Sequence, residues 1–157
     1  MVCVEERVLL VKRLNRGGEK RLFDKLSIGI GGHINPIDAE QAPPSGPAPG
    51  TSSNVFTAAA TREISEELNI DGDFTTRAVG VLNDDSNPVG AVHVGLVQVL
   101  QVRGTVEIRE KDQLEGELTL PSQLHQLLAE GANFESWSQL LVASLDEFVP
   151  HPTITLS

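Results

Sequence analysis

The chain has a single cysteine, Cys3, in 157 residues, so no internal disulfide braces it. It also lacks the basic head, apolar run and small-residue cleavage site of a secretory leader, and the expectation is a cytoplasmic protein. Long apolar runs are missing too. The most apolar segment, residues 91–102, is interrupted by His93, Gln98 and Gln101 and is too short to cross a bilayer. Basic charge is scarce: twelve Lys+Arg stand against twenty-two Asp+Glu, a formal net charge of −10. Nucleic-acid polymers and anionic membranes repel a surface of that sign, which argues against both as partners. Metal ions, small molecules and a homodimer stay open. With 39% apolar residues, a chain of this length supports one domain around one core.

The charge is unevenly spread. Arg7, Lys12, Arg13, Arg16, Lys20, Arg21 and Lys25 make residues 1–25 net +3, which leaves the remainder at −13. A basic lip on an acidic body suits a small polyanion held through a metal, with Lys and Arg meeting phosphate oxygens. A solvated hairpin loop would look the same.

Arg7 to Lys12 reads as a strand broken by the Arg16-Gly17-Gly18-Glu19 turn, and Leu26 to Ile34 reads as a second strand. Residues 36–54, with five prolines among Gly, Ser and Ala, read as an extended loop, with an insertion at about 39–53. Ser52, Ser53 and Asn54 offer N-caps for a helix from Val55 to Leu68. After an Asp71-Gly72-Asp73 turn, strands are expected at Thr76 to Leu82, Ala91 to Val102 and Thr105 to Arg109, divided by residues 83–88 and by Gly104. Pro121 suits the start of a helix ending near Gly131. Trp137, Leu140, Leu141, Leu145 and Phe148 form the stripe of a last packed helix, with Trp137 assigned to the core. The order implies a mixed β-sheet covered by helices on two faces, an α/β fold.

Arg62-Glu63-Ile64-Ser65-Glu66-Glu67 carries the chemistry. At about 100° per residue, Glu63, Glu66 and Glu67 share an arc of about 100°, beside a face of Phe56, Ala60, Ile64 and Leu68. Three like charges this close repel, and no Lys at i+4 relieves them. Hard oxygen donors at this spacing suit Mg²⁺ or Mn²⁺; a solvated acidic face is the plainer alternative. Arg62 lies about 40° from Glu66 around the helix and can orient it. His93 and Ser65 take structural readings.

With Gly31-Gly32-His33 upstream, these residues resemble the signature of the Nudix hydrolases, the MutT-like family: a glycine, five residues, a glutamate, seven residues, then R-E-U-x-E-E-x-G-U, where U is aliphatic. Arg62, Glu63, Ile64, Glu66, Glu67 and Ile70 match it. Gly32 and Arg62 are thirty positions apart where the family has fourteen, so the Pro-rich stretch looks like an insertion inside the motif. Asp38 or Glu40 stands for the early glutamate. Asn69 replaces the late glycine, as a residue tolerant of a left-handed helix end. The GGHxNP run also looks like a branch known as predicted phosphoesterases.

The resemblance implies a Nudix-type α/β/α sandwich that hydrolyses a nucleoside diphosphate linked to another moiety. By carry-over, Glu63, Glu66, Glu67 and the carbonyl of Gly32 hold Mg²⁺ or Mn²⁺. His33 contacts phosphate, moves a proton or packs the loop, and Arg21 faces substrate. A catalytically weak nucleotide-binding sensor is one alternative. An isopentenyl-diphosphate-isomerase-like enzyme is another, disfavoured because Cys3 lies far upstream. The general base is sought in the acidic loop from Glu110 to Glu117, at Glu115 first and Glu110 second, while Glu107 sits on a strand. The family's first strand has little room in Met1 to Val4 and is expected to be very short or to lie upstream.

Overall fold

Val8, Leu9, Leu10 and Val11 are all buried, the mark of a strand covered on both faces. They form β2 (Arg7–Arg13), which follows a three-residue β1 (Val2–Val4). The computed structural model describes residues 1–14, 23–41 and 55–149. Ser52 to Asn54, Arg16, Lys20, Arg21 and most of the Pro-rich insertion lie outside that set.

The remaining elements are β3 (Leu26–Ser27), α1 (Pro36–Gln41), α2 (Val55–Glu67), β4 (Leu68–Leu82), β5 (Gly95–Ile108), β6 (Leu114–Thr119), α3 (Pro121–Ala129) and α4 (Ser136–Ala143). Six strands make one mixed sheet in the order β3-β2-β1-β5-β4, with β6 against β2. β1 runs parallel to β5 and antiparallel to β2. Alternate residues feed two cores. Val2, Leu9, Val11, Leu100 and Val102 face the side where Ile64 of α2 packs; Cys3, Val8, Leu10 and Val99 face Leu124, Phe134, Val142 and Leu145. The fold is therefore an α/β/α sandwich around a mixed sheet. Among the described residues, no helix is long and apolar enough to cross a membrane.

Several expected boundaries move. Only Leu26 and Ser27 of the expected second strand join the sheet, because Ser27 Oγ takes the Gly29 N–H (3.0 Å) and Ser138 Oγ takes that of Ile28 (3.0 Å). Part of the expected loop is the helix α1. Asp71-Gly72-Asp73 is no turn, and Gly104 divides nothing: β4 and β5 run through them with Gly72 paired to Gly104. Both have positive φ (130° and 148°), and a Cβ on either would lie within 2.2 Å of a carbonyl oxygen across the ladder. Glycine at both positions lets the ladder continue where a side chain would break it. Residues 90–92 form a 3-10 turn, not strand. Asn87 Oδ1 accepts the Val89 and Gly90 N–H groups, and Asn83 Nδ2 donates to the carbonyls of Gly90 and His93. On α2 the apolar face is narrower than expected, with Phe56 42% exposed and Leu68 already in β4. Leu140 is 46% exposed, whereas Leu145 is fully buried.

Candidate functional site

The glycine stretch after β3 meets α2 through Arg62. Its Nε and Nη2 donate to the two carboxylate oxygens of Asp38 (2.9 and 3.2 Å), and Nη2 also donates to the His33 carbonyl (3.0 Å). Nη1 donates to Glu63 Oε1 (2.7 Å) and Glu66 Oε2 (3.2 Å). Arg62 therefore does orient Glu66, and much else besides. Asp38 is completely buried and also accepts the Asn35 N–H (2.7 Å), while its own N–H returns to the Asn35 carbonyl. That exchange closes the first turn of α1 in the manner of a capping box. The Arg62 hydrogen bonds, then the one from Asn35, hold the Asp38 carboxyl below the usual range, and those that Arg62 donates to Asp38 and then to Glu63 raise its guanidinium. A buried charge must be paired and hydrogen-bonded, and Asp38 is both. Its place in the motif is structural: it anchors the arginine.

Gly32 lies against the Glu63 carboxylate. A Cβ there would sit 2.6 to 2.9 Å from its three carboxylate atoms, so any side chain at this position would push the Glu63 carboxylate aside. Among the described residues no three His, Cys, Asp or Glu side chains form a ready cage; Arg62 holds one oxygen each of Glu63 and Glu66. Glu66 is 55% exposed.

Glu67 is half-buried. Burial pushes its carboxyl up to about 7; Arg13 opposes this, and Glu63, Glu110 and Glu66 add to it. Above the ordinary value of 4.5 an unfolded chain releases that proton while the folded protein keeps it until about 7. The folded state then binds more protons, so stability falls as pH rises through this window. Thermal melts of metal-free protein from about pH 4.5 to 7.5 should show the decline, and Glu67→Gln should flatten it. Equal slopes in parent and variant would contradict the assignment.

The base candidates separate. Glu110 follows β5 and acts on Glu67 by charge. Glu115 is not on a loop: it lies on β6 opposite Lys12 and is exposed. Its neighbour Leu114 and Lys12's neighbour Val11 both face the α2 side, so the pleat turns Glu115 to the other face. Glu107 pairs with Lys111 at 3.1 Å in solvent. Asn69 ends no helix in a left-handed turn; it lies in β4, and its Oδ1 accepts two hydrogen bonds from Arg109. Ser65 Oγ donates to the Arg62 carbonyl (2.7 Å), a structural role as expected. Cys3 is wholly buried on the face away from α2, so no thiol stands by these acids for isomerase chemistry. Arg21 lies outside the described residues. His33 and His93 meet, Nε2 to Nε2 at 3.2 Å, with His93 in the β4–β5 connector and not on a strand. No local signal marks His93, because its partner is sixty residues away.

A mixed sheet between helical layers, with the glycine stretch pinned to a glutamate-bearing helix, defines a Nudix-type fold. No protein-family model matches the chain. It is similar to Protein YmaB of Bacillus subtilis (strain 168), 37% identical over 146 residues, covering 90% of this chain and 66% of YmaB. The chain thus spans just under two thirds of that relative. Its structure is also similar to the crystal structure of Tm1382, described as "a putative Nudix hydrolase": TM-score 0.66, 25% identity, covering 92% of this chain and 67% of that one. The likeness extends over most of the chain and is one of fold.

Proposed function

We propose that the protein hydrolyses, with a divalent metal, the diphosphate bond of a nucleoside diphosphate linked to another moiety. The observation that carries this reading is the Arg62 grip, which ties Asp38, the His33 carbonyl, Glu63 and Glu66 into one cluster. Such a grip spends an arginine on holding acids beside a glycine backbone, where a surface helix would leave them to solvent.

The donor set fits Mg²⁺ or Mn²⁺: Glu63, Glu66, Glu67 and the Gly32 carbonyl are all hard oxygens, and the Gly32 backbone lies beside the Glu63 carboxylate with no Cβ between them. When bound, the metal would offset the charge of the diphosphate and acidify water held there. Arg62 keeps Glu63 and Glu66 in place, and the other oxygen of the exposed Glu66 carboxylate is available to orient water. Of the two acidic candidates after β5, Glu110 is the proton acceptor, at a carboxylate oxygen, because the pleat of β6 turns Glu115 to the other face. His33 and Arg21 supply substrate contacts.

The test is a screen of ADP-ribose, nucleotide sugars, dinucleoside polyphosphates, NADH, coenzyme A and nucleoside triphosphates with Mg²⁺ or Mn²⁺. Turnover of at least one, abolished by chelator, is expected. Binding without turnover would mark a sensor, and neither binding nor turnover would end the reading.

A further inference from the structure

We propose that His93 is a substrate-positioning residue: it holds His33 in the tautomer whose free Nδ1 accepts a hydrogen bond from a sugar hydroxyl of the nucleoside diphosphate. The inference rests on the diphosphate site proposed above and names how its non-phosphate part is recognised. His93 Nδ1 lies 2.5 Å from the Val89 carbonyl oxygen. A carbonyl only accepts, so Nδ1 carries the hydrogen, and in the uncharged ring Nε2 keeps its lone pair. That Nε2 faces His33 Nε2 at 3.2 Å. His33 Nε2 must then donate, which in an uncharged His33 ring leaves Nδ1 as an acceptor. The rings meet at 59° with centroids 5.4 Å apart, so they touch through their nitrogens and do not stack face to face.

Position gives this tautomer a use. The His33 carbonyl is held by Arg62, and the adjoining Gly32 lies against Glu63. The imidazole thus springs from the backbone one residue beyond the acidic cluster, and His33 is exposed. Phosphate oxygens are acceptors and gain nothing from a second acceptor, whereas a ribose hydroxyl donates. Val92 and Val94, 78% and 72% exposed, flank His93 and offer apolar surface to a sugar or base. A few placed polar groups with apolar neighbours are what organic ligands select.

The experiment measures binding to the full chain with Mg²⁺ at about pH 8, using α,β-methylene ADP and methylenediphosphonate as probes. The second keeps the two phosphorus groups and lacks the sugar. His93→Ala should weaken the nucleotide probe about tenfold and leave methylenediphosphonate within about twofold. His93→Gln, whose side-chain carbonyl accepts the His33 proton, should stay within about threefold of parent for both. His33→Ala should reproduce the selective loss, which keeps the test decisive if His93→Ala fails to fold. Equal weakening of both probes, no weakening of either, or a Gln variant as weak as Ala would overturn the proposal. A parent that binds neither probe would instead remove the diphosphate site on which it rests.

Discussion

Glu67→Gln is expected to lower metal-dependent diphosphate hydrolysis about a hundredfold or more, and Glu63→Gln likewise. Each substitution keeps the size of the side chain and removes one charge. Glu67 is the sharper case. Its carboxyl is half-buried and pushed up to about 7 by burial, so a cation there would be drawn to a carboxylate that water cannot easily replace. The Gln variant should fold normally and, without metal, gain stability near neutral pH, because the amide needs no proton to remain uncharged. The measurement is kcat and the Mg²⁺ dependence of rate on the best substrate of the screen, with thermal melts alongside. A Glu67→Gln enzyme with the parent rate would exclude this carboxylate from the chemistry. Retention of the parent rate by both variants would sink the hydrolase reading.

Arg62→Ala should be the most damaging single change to the site's architecture. It removes five hydrogen bonds at once and, among the described residues, leaves the fully buried Asp38 carboxylate with the Asn35 N–H alone. Stripping one partner from a buried ion pair leaves an uncompensated charge, and a melting temperature lower by about 10 °C is expected for a chain of this size. Activity should fall about a hundredfold or more, since the glycine stretch loses its tie to α2. Arg62→Lys is the instructive companion: an ammonium keeps the charge and cannot fork across Asp38 while reaching Glu63 and the His33 carbonyl. It should recover part of the stability and little of the activity. If Arg62→Lys melts and turns over like the parent, the fork geometry is irrelevant.

Local chemistry decided a great deal by itself. The run of Arg7 to Lys12 read as a strand, which the structure buries on both faces, Pro121 started a helix, and Ala- and Glu-rich residues 55–67 formed one. The stacked glutamates and the arginine beside them were legible because helical spacing is a local property: Arg62 reaches Glu66 one turn on. What local reasoning could not supply is any feature that depends on a partner distant in the chain. Gly72 and Gly104 read singly as breaks and became a continuous ladder only when paired with each other. The acidic stretch after β5 looked like a loop until β2 offered its edge to β6, and the pleat then carried Glu115 away from the site. Asp38 gained its structural role from an arginine twenty-four residues on, and His93 its partner from sixty residues back. Sequence pattern reports periodicity and propensity within a few turns of chain. Burial, charge pairing and tautomer depend on atoms that only the folded sheet brings within hydrogen-bonding distance.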